Sequence, residues 1–495
     1  MKVLLVHFRS RTEPAAAVAL AHLAAHALRD PEIRARTVVA TLEFDVGDDV
    51  EDVLERLYAE APQVVLLYAD HRNATEVGAA ADGLRKILPA VRILACGPEA
   101  SWGGDRLLAE QPSIDVAFRN EAEEAFCELL LHYLGTGTAS LRPIDGITFR
   151  SVEGPVVVNK NRAPRDPLDE LASPFADPLV RRSPGGLRFL ETARGFAGTV
   201  HFDPEGLGGG ALRAYPVARV ARDLDLLLAA HPPSLRFTDA PFNLVPERAC
   251  EILAHLASRL SALPERLPVA LELAVEPLDS ATLGLLDRIA PVSVDVRLNT
   301  SVDEGPASVV SRLEDPAFRR GLEALCRGGS REVALHVTYG LPDDDHALFQ
   351  RWVDFAVSFE RCALLLHPAC LAKGTTLHRT ADESLVANPR APRALLKGAR
   401  YSYEDVVRSA RTAEAVRHWF ANGPAGTSLL LARCRDAGVR PAEALDELGA
   451  RLVRLAGERD RDAESALARA LDAVRLSAVR VRAPRAPSAA LPHAG

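Results

Sequence analysis

Hydrophobic positions in the first part of the chain fall into short runs rich in β-branched and aliphatic residues: Val3 to Phe8, Val38 to Phe44, Val64 to Tyr68, Ile93 to Ala95 and Val116 to Phe118. Between them, Val50 to Ala61 and Ala74 to Leu88 place apolar residues three and four apart, the spacing of a helix with one buried face. Strands alternating with helices predict a parallel, doubly wound sheet, because parallel neighbours need a crossover and the crossovers cover both faces. In such a sheet ligands bind beyond the carboxyl ends of the strands. Those ends read Phe8-Arg-Ser10, Ala69-Asp-His-Arg-Asn73, Cys96-Gly-Pro-Glu99 and Arg119-Asn-Glu121. Ser10, Asp70, Asn73, Gly97, Pro98 and Glu121 are therefore candidate ligand-binding residues.

The rhythm then changes. Ile147 to Phe149 and Val156 to Val158 flank Glu153-Gly-Pro155, a hairpin signal, and the proline-rich stretch from Ala163 to Pro184 reads as a linker. A second series of strands begins near residue 187: Leu187 to Leu190, Leu235 to Thr238, Pro268 to Ala274, Val292 to Leu298, Val333 to Tyr339 and Cys362 to His367. Each is followed by a helix-sized segment, which predicts a partial barrel of six β/α units with its ligand site at the carboxyl ends of the strands. Residues 402–476 have helical periodicity, opened by Ser402 with Asp405 three positions on. The resulting division is 1–140, a doubly wound domain; 141–185, hairpin and linker; 186–380, partial barrel; 381–480, helices; and 481–495, a tail too poor in apolar residues to pack.

Composition narrows the function classes. With 495 residues the chain is too long for one ordinary domain, and 48% hydrophobic against 25% charged residues is the balance of a globular protein. The net charge of -8 gives no general attraction for nucleic acid or an anionic membrane surface. There is no signal-peptide pattern at the amino terminus and no apolar run of membrane-spanning length, so a cytoplasmic location is the expectation. The 7 cysteines, at 96, 127, 250, 326, 362, 370 and 434, contain no C-x-x-C, which fits neither a disulfide framework nor a zinc ribbon.

Several motifs, in order, resemble one known arrangement. They are Glu43-Phe44, Pro62 to Val65, Leu88-Pro89, Gly97-Pro-Glu99 and Arg119 to Glu124 in the first domain, with Ile144 to Ile147 and Leu168 to Pro174 in the linker. The barrel adds Leu190 to Gly195, Asp239-Ala-Pro-Phe-Asn243, Gly340-Leu-Pro342 and Lys373-Gly-Thr375. Over roughly residues 1–425 the chain resembles the radical S-adenosylmethionine (SAM) proteins that carry a cobalamin-binding domain, in the form with a helical C-terminal extension. The resemblance implies a flavodoxin-like cobalamin-binding domain followed by a radical-SAM barrel, and a radical SAM oxidoreductase or methyltransferase activity. Among site residues it implies Asp239 and Asn243 at the end of the second barrel strand and Gly340 closing the fifth, toward SAM; Arg297 on the fourth strand is a further candidate for lining the pocket.

That family's chemistry depends on a C-x-x-x-C-x-x-C loop after the first barrel strand, whose thiolates hold a four-iron four-sulfur cluster. Here the three positions carry Phe196, Val200 and Asp203. Phe and Val have no metal-binding atom, and one carboxylate does not replace three soft thiolates. The cluster is therefore expected to be absent. A different metal site built from His201 and Asp203 with His367 and Cys370 is the less favoured alternative. The glycines that the family places at the end of the sheet are partly replaced, by Cys96 before Gly97-Pro98 and by Asn120 and Ala122 in Arg119-Asn-Glu-Ala-Glu123. No D-x-H-x-x-G sequence offers a histidine to cobalt, and His71 is not in that pattern. Cobalamin and SAM binding thus both stay open.

Other features carry less. Asp295, Arg297 and Asn299 alternate along one strand and so share a face, as a structural ion pair or around a polar ligand. Asp239 and Asn243 have a plain alternative as caps of the next helix. Gly206 to Gly210 lacks the ending of a phosphate loop, and His22 with His26 lacks further ligands. The function expected is a degenerate member of the family, without its cluster, acting as a ligand-binding protein or as the partner of an active homologue or biosynthetic enzyme. The alternative is an enzyme using cobalamin or SAM for methyl transfer or radical chemistry through a non-standard site.

Overall fold

A computed structural model describes residues 1–9, 15–152, 154–177, 188–195, 212–300, 311–342, 344–420 and 424–455. Its first strands are β1 (Lys2–Arg9), β2 (Val38–Asp45), β3 (Val64–Tyr68), β4 (Arg92–Cys96) and β5 (Val116–Phe118), followed by β6 (Ile147–Arg150) and β7 (Val156–Val158). They form one seven-stranded sheet in the order β2-β1-β3-β4-β5-β6-β7. The first five run parallel, and β6 and β7 add antiparallel. The hairpin expected between the domains is thus an extension of the N-terminal sheet.

Alternation of side chains explains why both faces are covered. Val3, Leu5, Val64, Leu66 and Leu94 join one core with Leu20, Leu23, Phe126 and Leu129 from helices Ala15–Ala27 and Glu123–Leu134. Leu4, Val6, Val65, Leu67 and Ile93 face the other way, onto Val53, Leu57, Val77 and Leu84 of helices Val50–Ala59 and Ala74–Ile87. Arg119 fastens the antiparallel extension. Its buried guanidinium donates to Ile147 O at 3.0 Å, Thr148 Oγ1 at 2.6 Å, Lys160 O at 3.0 Å and Asn161 Oδ1 at 3.0 Å.

The described residues divide into two compact units. The first comprises Met1–Val333 with Ala369–Leu396; the second comprises Ala334–Pro368 with the chain from Lys397 onward. Beyond the N-terminal sheet, the first unit holds β8 (Phe189–Leu190), β9 (Ala193–Arg194), β10 (Arg213–Ala214), β11 (Leu235–Phe237), β12 (Val269–Glu272) and β13 (Val292–Arg297). Here β8, β11, β12 and β13 pair in parallel, separated by helices Val217–Ala229, Pro246–Leu260 and Ser280–Arg288, while β9 and β10 form a small antiparallel ribbon.

In the second unit β14 (Arg331–Tyr339) and β15 (Ala363–Pro368) pair in parallel, Ala334 opposite Ala363. Around them stand helices His346–Val357, Tyr403–Phe420, Pro424–Ala437 and Pro441–Leu455. The helix from Tyr403 opens on the expected capping box: Ser402 Oγ accepts from Asp405 N at 3.1 Å, and Asp405 Oδ2 accepts from Ser402 N at 3.2 Å. No helix among the described residues is long and apolar enough to cross a membrane.

Candidate functional site

The carboxyl end of the N-terminal sheet gathers most of the residues singled out in the first domain. Asp70 and Asn73 are buried and spend their polar atoms on the loop itself. Asp70 Oδ1 accepts from Arg72 N at 2.7 Å and Asn73 N at 3.1 Å, while Asn73 Oδ1 accepts from Asp70 N at 2.8 Å. Asn73 Nδ2 also donates to Tyr68 O at 3.0 Å. Burial raises the Asp70 carboxyl, against those backbone bonds. The two residues therefore shape the exit from β3.

Gly97 shows why a glycine stands after β4. Its φ is +94°, and a Cβ there would sit 2.6 Å from Ala69 O, so the exits of β3 and β4 touch through backbone. Pro98 opens the short helix Pro98–Ser101, and Glu99 behind it is buried. Ala69 and Gly97, at the exits of these strands, carry between them no side chain larger than a methyl group.

The corner after β5 is charged. Glu121 is ion-paired to Arg213 of β10 and accepts from Arg165 N at 3.0 Å. Glu123 is paired to Arg194 of β9 at 2.7 Å. Burial opposes ionisation of Glu123, yet the Arg194 guanidinium holds its carboxyl down at about 2. Arg194 and Arg213 are directly opposite on the ribbon, an arrangement that would repel without those carboxylates. Arg194 also meets Glu191 at 2.8 Å, and Glu191 accepts from Tyr215 Oη at 3.1 Å. His22, buried and lying parallel to the Tyr215 ring, has Nε2 3.5 Å from Glu191 Oε2, and burial lowers its pKa. His22 is thereby part of an ion network, with the sequence offering no sign of its long-range partners.

At the ends of β8 and β11, Asp239 accepts from Thr192 N at 3.1 Å and from Thr192 Oγ1 at 2.9 Å. Burial pushes its carboxyl up to about 6, against those bonds. Arg248 donates to the same Thr192 Oγ1 at 2.9 Å and to Tyr215 O at 3.0 Å. Both groups border a cleft of about 420 Å³, counted with its open mouth, whose other walls include Ala193, Gly195, Leu212 and Phe242. Arg248 was not among the expected site residues; its place on the helix after β11, toward Thr192, is a long-range contact.

Asn243 locks onto the next strand exit, donating to Ala274 O at 2.9 Å and accepting from Ala274 N at 2.8 Å. Neither Asp239 nor Asn243 caps the following helix, which starts after Val245 without a side-chain cap. This corrects the capping alternative. On the open face of the strands, Asp295 pairs with Arg236 at 2.7 Å and Arg297 with Glu272 at 3.1 Å, so each charge is answered from another strand.

In the second unit, Gly340 has φ +83°, with open space around a would-be Cβ except for Val406 at 4.0 Å. His367 stacks on His336, with ring centroids 5.1 Å apart and His336 Nδ1 2.9 Å from His367 Nε2. Ser10, Phe196, Val200, His201, Asp203 and Gly206 to Gly210 lie outside the described residues. Among the described residues no group of three or more His, Cys, Asp or Glu side chains is placed to hold a metal ion.

Comparison with known proteins places this geometry. Residues 1–130 match the family model of the B12 binding domain. No curated protein matches the chain. Among solved structures, the radical SAM methyltransferase TsrM from Kitasatospora setae, with tryptophan substrate and a SAM analogue bound, is similar at 19% identity and a TM-score of 0.56, over 81% of this chain and 80% of that one. The same enzyme with cobalamin and a four-iron four-sulfur cluster bound gives 18% identity and a TM-score of 0.57, over 81% and 79%. The cobalamin-dependent SAM radical enzyme OxsB, with aquacobalamin bound, gives 12% identity and a TM-score of 0.57, over 97% and 81%. Residues 1–130 thus match the B12 binding domain, and the chain shares its fold with these cobalamin-dependent radical SAM enzymes.

Proposed function

We propose that this chain is a corrinoid-binding protein of radical-SAM architecture that does not carry the four-iron four-sulfur cluster, and that it serves as a ligand-binding or partner protein in a biosynthetic or modification system. The observation that carries the reading is the identity of Phe196, Val200 and Asp203, where three thiolates would be needed. Four of the seven cysteines are poor substitutes. Burial pushes the Cys127 and Cys370 thiols up to about 11 and Cys434 to about 12, and raises Cys96 further, whereas metal ligation needs the thiolate. This donor set does not fit a cluster.

A corrinoid fits better. Ala69 and Gly97 supply a floor free of long side chains beyond the carboxyl ends of β3 and β4, where a doubly wound sheet takes its ligand. Cobalamin would supply cobalt-centred methyl or electron chemistry; this chain's residues would bind and orient it, with Asp70 and Asn73 holding the loop beside it. Equilibrium dialysis of the full chain against aquacobalamin and against SAM tests this. We expect stoichiometric cobalamin binding in the micromolar range or tighter, and no cobalamin binding would sink the reading.

One observation favours the second reading, an enzyme working through a non-standard site. Asp239, at about 6, and Arg248 border a cleft at the mouth of the barrel strands without cancelling each other directly. SAM retained in the same dialysis, and lost in Asp239→Asn, would support it.

A further inference from the structure

Residues Ala369–Leu396 pack with the first unit, although the chain on either side of them belongs to the second. They fold back on themselves: Leu371 N donates to Arg393 O at 2.9 Å, Leu395 N to Ala369 O at 2.8 Å, and Cys370 bridges antiparallel to Ala394. The hairpin so formed is a strap, and its attachment to the B12-binding domain is electrostatic. Glu99, on the short helix after Gly97-Pro98, has a side chain 2% exposed. It receives Lys373 Nζ at 2.9 Å, with Arg393 Nη1 at 2.5 Å on one oxygen and Arg393 Nη2 at 2.9 Å on the other.

Burial alone would raise the Glu99 carboxyl, but Arg393 and Lys373 hold it below its usual value. A carboxylate this deep needs cationic partners in place, because an unpaired buried charge is strongly destabilising. The two cations come from opposite arms of the strap, so one carboxylate closes both. The surfaces are also fitted. A Cβ on Gly374 would lie 2.4 Å from Trp102 Cδ1, and one on Gly103 would lie 3.3 Å from the Lys373 side chain. Gly374 itself has φ +88°, so only glycine takes this seat without strain.

We propose that Glu99 is a positioning residue that latches the strap 369–396 onto the corner after β4, and that the latched strap forms one wall of the crevice in which the B12-binding domain holds its corrinoid. The second half of this statement rests on the corrinoid reading above; the first half does not. The local charge favours closure in any state of the ligand, since one carboxylate faces two cations.

The test uses the full chain and three variants, Glu99→Gln, Lys373→Met and the conservative Lys373→Arg. Amide hydrogen exchange is read on peptides covering 371–395 and, as a control for global folding, on β1 and β3. Aquacobalamin affinity and the visible spectrum of the bound corrinoid are measured in parallel. We expect strap exchange about tenfold faster in Glu99→Gln and Lys373→Met with β1 and β3 unchanged. Cobalamin should bind roughly tenfold more weakly in the same two variants. Lys373→Arg should restore both readouts. Unchanged strap exchange overturns the latch; faster exchange with wild-type affinity and spectrum overturns the wall. If the wild-type chain takes up no cobalamin, the corrinoid reading falls, and strap exchange still decides the latch.

Discussion

Asp344 is the residue whose environment makes the clearest statement about solution behaviour. It follows Gly340-Leu-Pro342 in the second unit, is 5% exposed, and has one carboxyl oxygen, Oδ2, with no hydrogen-bond partner. Burial pushes its carboxyl up to about 7, reinforced by Asp345 and opposed by Arg400 and a backbone bond. Arg400 is itself paired with Asp345 at 2.7 Å, and Tyr401 nearby bonds to Ser409 at 2.6 Å. Because an unfolded Asp titrates near pH 4, the folded chain holds this proton more tightly than the unfolded one. The stabilisation is complete below about pH 4 and is lost as pH rises through about 7, by roughly 4 kcal/mol at most. Urea unfolding of Asp344→Asn across pH 5 to 8 should therefore show a flatter dependence than wild type, with the variant the more stable at pH 8. A parallel dependence in both would show that Asp344 does not titrate in this way. The sequence carries no mark of this. Asp344 reads as one acid in a turn, and the Arg400 and Tyr401 groups it interacts with stand more than fifty residues further along the chain. Asp239 was legible as a polar residue at a strand end, but Thr192 and Arg248, which fix its geometry, come from other elements.

Elements were legible wherever apolar runs are long enough to show their period. The five parallel strands of the first sheet and the two helices with three-and-four spacing fall where the pattern puts them, because each buries a face against a core. The hairpin was legible as a hairpin but not as part of the sheet, since its place depends on the Arg119 side chain reaching Ile147 and Lys160. The ribbon of β9 and β10, each two residues long, has no periodicity to read and is held by charges from the corner after β5. Gly97 links the two levels. The motif Gly97-Pro98 is visible in the sequence, while its contact with Ala69 O is visible only in the fold. Gly97→Ala imposes a left-handed φ on a side chain and a 2.6 Å approach to that carbonyl. We expect a loss of roughly 2 kcal/mol or more in unfolding free energy, measured by urea titration, together with weaker cobalamin retention. A neutral effect on both would mean that the exits of β3 and β4 do not touch through backbone.

For the whole molecule, architecture and chemistry point in different directions. The N-terminal sheet, the parallel β/α strands and the helical C-terminal region are similar in fold to TsrM, solved with cobalamin and a four-iron four-sulfur cluster bound, and to the cobalamin-dependent OxsB. On the function proposed above, Phe196, Val200 and Asp203 stand where the cluster would need three thiolates, and of the cysteines elsewhere Cys96, Cys362 and Cys434 are buried. A fold is retained by many small packing terms spread over hundreds of residues, whereas a cluster depends on three side chains. On that proposal the architecture has outlasted the cluster chemistry. The most direct measurement is iron and sulfide content, with the visible absorption spectrum, after anaerobic reconstitution of the full chain with iron, sulfide and reductant. The account predicts no stoichiometric iron and no cluster absorption; about four irons per chain, with cleavage of added SAM on reduction, would contradict it.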